Sequence, residues 1–503
     1  MPLARAWSVA LYGVDGRLVE IEADIGLGLP GVHLVGLPDA SLHESKDRVR
    51  AAVVNSGRTW PNRRITLALS PATLPKAGSG FDAALACAVL AACGEVAQGE
   101  LDGTVLIGEL ALDGRLRSVR GILPSLLAAR RSGARRVVIP AETLHEASLV
   151  DGLEVVGAAR LNDVLGWLRG DQKLPGPPPL TVVPPDEPPD LADVVGQKSG
   201  RLALEIAAAG GHHLMLVGPP GTGKTMLAQR LVGLLPELAA DEALQIAAIR
   251  SVAGRLPVTG PLSLTPPFVA PHHSSSVAAL VGGGSGLPRP GAVSMAHRGV
   301  LFMDEAPEFG PHLLESLRTP LEEGEVRLAR AAGSVRYPAH FQLVLAANPC
   351  PCAPAHNRDC TCPPTVRRRY LGRLSGPLLD RVDLRAELLP VTALSGLDLE
   401  PGESTSAVRA RVLAARAAAQ DRWAEHGWRT NSEVPGPALR TRFRLSTSVV
   451  APLEQGLREG RLTARGSDRA LRLAWTLSDL AGRDRPDEAM VAAAMRFKEQ
   501  QVA

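Results

Sequence analysis

A chain of 503 residues is too long for a single core and points to about three domains. Its 45% hydrophobic content is that of a folded chain, and a net charge of +3 neither demands nor excludes nucleic acid. Aromatic residues, at 3%, are too few for extensive base stacking, so any DNA contact falls to arginines and backbone amides on phosphates.

No apolar run approaches the roughly 20 residues of a membrane span, and the N-terminus lacks the basic, apolar and small-residue succession of a secretion signal. The expected location is therefore the cytoplasm, without a membrane partner. In residues 1–170, strands are expected at Arg64–Leu69, Thr104–Ile107 and Arg136–Ile139. Helices are expected at Phe81–Cys93, with Cys87 and Cys93 buried in it, and at Leu123–Ser132. A run dense in proline, 174–190, closes an expected linker at 171–190. Residues 191–390 alternate strands and helices, and 391–503 read as mostly helical, with apolar residues at helical spacing in Ser406–Glu425 and Asp468–Leu480.

The stretch HLMLVGPPGTGKTMLAQRL is a buried strand, a glycine-rich loop and a helix. Its loop, Gly218, Pro219, Pro220, Gly221, Thr222, Gly223, Lys224 and Thr225, satisfies the phosphate-loop pattern. Glycines let backbone N–H groups turn inward around phosphate oxygens, and the helix N-terminus adds partial positive charge. Lys224 is then expected on the β and γ phosphates of ATP, and the Thr225 hydroxyl on Mg²⁺. The apolar strand GVLFMDE ends in two carboxylates, with Asp304 expected to hold Mg²⁺ and Glu305 to polarise the attacking water. The strand FQLVLAANP ends at Asn348, which could orient that water; the three strand ends belong on one edge of a parallel sheet. Phosphoryl transfer also needs positive charge from outside the loop, for which Arg381 and Arg465 stand in suitable segments.

Four cysteines crowd into CPCAPAHNRDCTC: Cys350, Cys352, Cys360 and Cys362. Four thiolates suit tetrahedral Zn²⁺ in a closed structural site, with His356 able to replace one ligand; free or redox-active thiols are the other reading. His272 and His273 have no derivable role. Arg367, Arg368 and Arg369, beside Tyr370, offer either a solvated helix face or a phosphate contact.

Several strings in order, among them GLPGVHLVGLPDASLHESKDRVRAAVVNSG, APHHSSSVAALVGGG, HRGVLFMDEAPEF and LSGPLLDRVDL, resemble the magnesium-chelatase-like AAA+ ATPases, and most closely the ComM/YifB family. The resemblance implies an α/β chain: a Lon-protease-like α+β domain at 1–170, a Pro-rich linker at 171–190, an AAA+ P-loop core with a parallel sheet at 191–390, and a C-terminal helical lid at 391–503. It implies a homo-oligomer, a hexameric ring with ATP between subunits. Arg381 would be the finger reaching a neighbour, and Arg465 the sensor arginine of the lid acting on its own subunit. Residues near Phe268–Pro290 would form family inserts. ComM-like members are linked to ATP-driven branch migration on DNA during transformation; chelatase motors and protein remodelling are the rival uses of such a ring. KAGSGFDAALA resembles the nucleophile region of the Lon fold, but Gly80 stands at the serine position and Leu123 at the lysine position. A Ser–Lys mechanism then lacks both partners, Ser79 has no evident base, and peptidase activity is not expected.

Overall fold

The computed structural model describes residues 3–179, 188–257, 262–284, 288–330, 333–354, 359–390 and 402–499. His356, residues 180–187 of the expected linker and residues 391–401 of the expected lid lie outside them.

The N-terminal region is built on seven strands: β1 (Leu3–Tyr12), β2 (Asp15–Gly26), β3 (Gly31–Val35), β4 (Arg64–Ser70), β5 (Thr104–Leu106), β6 (Arg136–Pro140) and β7 (Glu154–Ala158). They lie in the order β3-β4-β2-β1-β5-β6-β7. The sheet is mixed, with β1, β2 and β4 antiparallel and β5, β6 and β7 parallel. Three expected strands and both expected helices are present, the helices as α1 (Asp82–Ala92) and α2 (Ile122–Arg131). The β1–β2 hairpin escaped the sequence reading, although it is the longest pairing in this sheet. Its inward positions include Ala4, Ala6, Ala10 and Ala23, which blunt the apolar alternation that marks a strand. Cys87 is buried as expected, but Cys93 caps the end of α1 and is exposed, because the helix stops before it turns inward.

The second region holds a five-stranded sheet. Its strands are β8 (Leu214–Val217), β9 (Phe268–Val269), β10 (Val300–Met303), β13 (Gln342–Ala347) and β14 (Leu384–Glu387). A separate hairpin, β11 (Glu325–Arg330) and β12 (Gly333–Pro338), lies between β10 and β13 in the chain. The order is β9-β10-β13-β8-β14 and all pairings are parallel. Both faces are covered, so the strands are continuously apolar. Leu214, Leu216, Phe302 and Val344 face one core, and Met215, Leu301, Met303 and Leu345 face the other.

The first of those cores is shared with helices α3 (Lys198–Gly210), α4 (Lys224–Leu234), α7 (Thr405–Trp423) and α8 (Ala464–Leu480). Trp423, fully buried, gives its Nε1–H to Asn431 at 2.9 Å and stacks edge-on against Trp475. The C-terminal helices therefore complete the core of the sheet rather than enclosing one of their own. The N-terminal region docks through α2 onto α5 (Ala240–Ala253), with Leu123 and Leu126 packed in one cluster with Ala247. At that contact Ser251 donates to Glu146 at 2.5 Å, and the Leu123 N–H donates to the same carboxylate at 2.9 Å.

Candidate nucleotide site

The strands β10, β13 and β8 are neighbours and parallel, so Asp304, Asn348 and Gly218 emerge side by side at their C-terminal ends. Gly218 N–H donates to Ala347 O at 3.1 Å, tying the start of the loop to the end of β13. Gly221 and Gly223 have φ of +73° and +88°, a left-handed backbone where a side chain is strained. A Cβ on Gly218 would stand 2.7 Å from Leu388 O, so close packing demands glycine there. Thr222 Oγ1 closes the turn onto Pro219 O at 2.8 Å.

The Lys224 ammonium donates to Gly218 O at 2.7 Å, Pro219 O at 2.8 Å and Asn348 Oδ1 at 3.0 Å. All three acceptors are neutral. Burial lowers its pKa from the ordinary lysine value, against the opposite pull of Asp304 and Glu305. Thr225 Oγ1 donates to Asp304 Oδ2 at 2.7 Å, and Asp304 Oδ1 accepts the Glu305 N–H at 3.0 Å. Glu305 sits at φ +51°, in the left-handed region, where the strand gives way to the next turn. This donor set fits a nucleoside triphosphate with Mg²⁺: a cradle of turned backbone, one ammonium on neutral acceptors, and a hydroxyl–carboxylate pair of hard oxygens.

Arg381 lies elsewhere. It precedes β14, whose first residue pairs with Leu214 at the start of β8, so it occupies the sheet edge opposite Gly218, roughly 13 Å of strand away. Its guanidinium donates to Pro377 O at 2.6 Å and pairs with Glu322. Burial first, then the charges of Arg318, Arg465 and Arg469, lower its pKa from the ordinary arginine value. Arg469 donates to Arg381 O at 2.6 Å and pairs with Asp383, which seats the first turns of α8 at that same edge. Arg465, one turn before Arg469, thus stands beside Arg381 and not at its own chain's loop. The helix docks on the side of the sheet where the strands begin.

The cysteines and the basic run follow β13 in the chain. The Sγ atoms of Cys350, Cys352, Cys360 and Cys362 all lie within 4.8 Å of one another. Arg368 and Arg369 are exposed on α6 (Pro364–Leu371), whereas Tyr370 is buried and unavailable for stacking on a base. Three partners were not anticipated. His273 Nδ1 lies 3.8 Å from Glu305 Oε2, the Tyr370 hydroxyl engages the Asn348 backbone, and Arg373 joins the Tyr370 ring to Glu308 at 2.9 Å. The adjacent histidines were a visible signal; nothing in the sequence marked Arg373.

The N-terminal region holds the other residues singled out in the sequence. Gly80 precedes α1, and Leu123 is fully buried against the second region. Ser79 pairs with Glu109. Lys76, wholly buried, gives its ammonium to Gly36 O at 2.9 Å, Leu69 O at 3.0 Å and Pro71 O, so its protons are committed to carbonyls.

The family described as magnesium chelatase, subunit ChlI, matches residues 190–395. The one described as subunit ChlI of Mg-chelatase matches 21–143, and that described as magnesium chelatase, subunit ChlI C-terminal, matches 402–498. An uncharacterized protein of Mycobacterium tuberculosis is 61% identical over 99% of both chains. YifB of Escherichia coli, also called uncharacterized, is 42% identical over 95% of this chain and 94% of its own. The competence protein ComM of Haemophilus influenzae is 40% identical over 99% of this chain and 98% of its own. Among the described residues no helix is long and apolar enough to cross a membrane.

Proposed function

The chain belongs to the ComM/YifB family of magnesium-chelatase-like AAA+ ATPases, and from that membership we propose that it is a cytoplasmic, hexameric motor that hydrolyses ATP to move on DNA as a branch-migration helicase. The observation that carries the hydrolytic half is the convergence of Lys224, Thr225, Asp304, Glu305 and Asn348 at adjacent strand ends.

In this reading the backbone of Gly218–Gly223 and the Lys224 ammonium hold the β and γ phosphates, while Thr225 and Asp304 hold Mg²⁺. That ion, when bound, neutralises charge on the phosphate oxygens. Glu305 takes the proton of the attacking water and Asn348 orients it. The Arg381 cluster lies too far from its own loop to help, so it serves the neighbouring subunit, with Arg465 beside it. Each site is therefore completed only in a ring. Residues 1–170 act as a Lon-like, non-peptidase domain joined by the linker at 171–190 to the core at 191–390, with 391–503 as its lid. Zinc on Cys350, Cys352, Cys360 and Cys362 belongs to the reading as a structural ion.

DNA as the track rests on the likeness to a protein named for competence. Steady-state ATPase with and without forked DNA tests it. Stimulation that weakens as salt rises supports a DNA motor. Robust ATPase with neither stimulation nor salt-sensitive DNA binding would move the assignment to a chelatase-type or protein-remodelling ring.

A further inference from the structure

The four-cysteine knuckle adjoins the candidate nucleotide site without having a part in its chemistry. Cys350 Sγ lies 3.3 Å from Cys352 Sγ and 3.4 Å from Cys360 Sγ, and Cys352 Sγ lies 3.7 Å from Cys360 Sγ. A tetrahedron of thiolates about 2.3 Å from zinc has edges of about 3.8 Å. The observed separations approach that edge and lie well beyond the roughly 2.05 Å of a disulfide. A four-iron cluster would need the sulfurs spread around its own inorganic core. Backbone N–H groups also point at the sulfurs: Ala353 toward Cys350, Thr361 toward Cys352, and Cys352 toward Cys362. Such donors stabilise thiolates and orient them around a metal. Ala353 accepts a φ of +45° to make the turn.

The position of the knuckle gives it a consequence. Only Pro349 separates Cys350 from Asn348, whose Oδ1 accepts from Lys224 at 3.0 Å. After Cys362 the chain enters α6, and Tyr370 on that helix returns to the Asn348 backbone. Asn348 is thus held from two sides, by Tyr370 on its backbone and by the sulfur cluster that begins two residues on. We propose that Cys350, Cys352, Cys360 and Cys362 bind one structural Zn²⁺, and that this ion positions Asn348 for nucleotide hydrolysis. The metal site stands on the sulfur geometry alone; the positioning role rests on the ATPase reading above. Asn348 touches the nucleotide site and the cysteines act through it, so they are positioning residues.

The experiment uses the full-length protein expressed with added zinc. Elemental analysis is expected to find one zinc per chain, falling at least about fivefold in Cys352→Ser/Cys362→Ser, since losing half the ligands destroys a closed four-thiolate site. Cobalt exchanged into the unmutated protein should give the d–d absorption of a tetrahedral thiolate site, a readout that survives misfolding of the variant. Absence of zinc, or iron in its place, overturns the metal site. Zinc removal by chelation should lower kcat about tenfold, because small misplacements of a positioning group are costly, while Kd for a fluorescent ATP analogue moves less than about threefold. The loss should be restored by zinc and vanish in Asn348→Ala. An unchanged kcat after zinc loss, or a further fall in the Asn348→Ala background, overturns the positioning role. A zinc-loaded protein with no ATPase at all would sink the ATPase reading, and the positioning role with it, and leave the metal site standing.

Discussion

The Lys224 ammonium shows how one side chain can be prepared for a charge it does not yet meet. Its acceptors are two loop carbonyls and the Asn348 amide oxygen, so a polyphosphate would exchange neutral partners for anionic ones. Lys224→Ala should abolish nucleotide binding in equilibrium titration. Glu305→Gln should keep binding and lower kcat about 10²–10⁴-fold, the scale of a lost general base; normal turnover would remove Glu305 from the mechanism. His297 is a different case. It is almost fully buried, its Nδ1 accepts from His340 N–H at 3.1 Å, and its Nε2 faces Gln245 Oε1 at 3.1 Å. Burial first, then the charges of Arg298 and His340, lower its pKa from 6.5 to about 3. The unfolded chain therefore binds a proton at this residue between those values while the folded chain does not. Stability should fall as pH drops from 6.5 toward about 3, by up to roughly 1.4 kcal/mol per pH unit from this residue. Urea unfolding at several pH values should show the slope, and His297→Gln should reduce it, leaving the part owed to buried His213, whose pKa burial lowers to about 4.

At the scale of elements, α2 packs against α5 through Leu123, which shares one apolar cluster with Ala247. Leu123 is completely buried there, in the interface with the second region. An uncompensated ammonium in that place would cost several kcal/mol, so the contact favours an apolar residue there. The Glu146 carboxyl is held between Ser251 and the Leu123 N–H, and burial raises its pKa against those hydrogen bonds. Ser251→Ala would leave that buried carboxyl short of a donor and should lower unfolding stability by about 1–3 kcal/mol. An unchanged urea midpoint would show that apolar packing alone holds the two regions together.

For the whole molecule, the decisive feature is the separation of loop and arginines by the length of the sheet. A chain that hydrolyses ATP through both must borrow one from a neighbour. Arg381→Ala and Lys224→Ala proteins should each be nearly inactive alone, yet a mixture should regain a measurable share of ATPase, because hybrid interfaces pair an intact loop with an intact finger. No recovery in mixed rings verified by size would mean that Arg381 serves its own subunit or none.

Much of this site was legible in the chain itself. The phosphate loop, the strand ending in Asp304 and Glu305, the strand ending in Asn348 and the cysteine spacing each depend on residues close in sequence, whose chemistry is set by short covalent reach. The parallel order that brings those strand ends together followed from their alternation with helices. What needed the tertiary structure was every relation carried by distant residues: Arg469 on Arg381, 88 positions apart, and Ser251 on Glu146, 105 positions apart, which ties the two regions together. The alanine-rich β1–β2 hairpin belongs with these, since weak apolar contrast leaves pairing to be decided by the rest of the sheet. Local pattern specifies which groups can act, but only packing of the whole chain determines which of them meet.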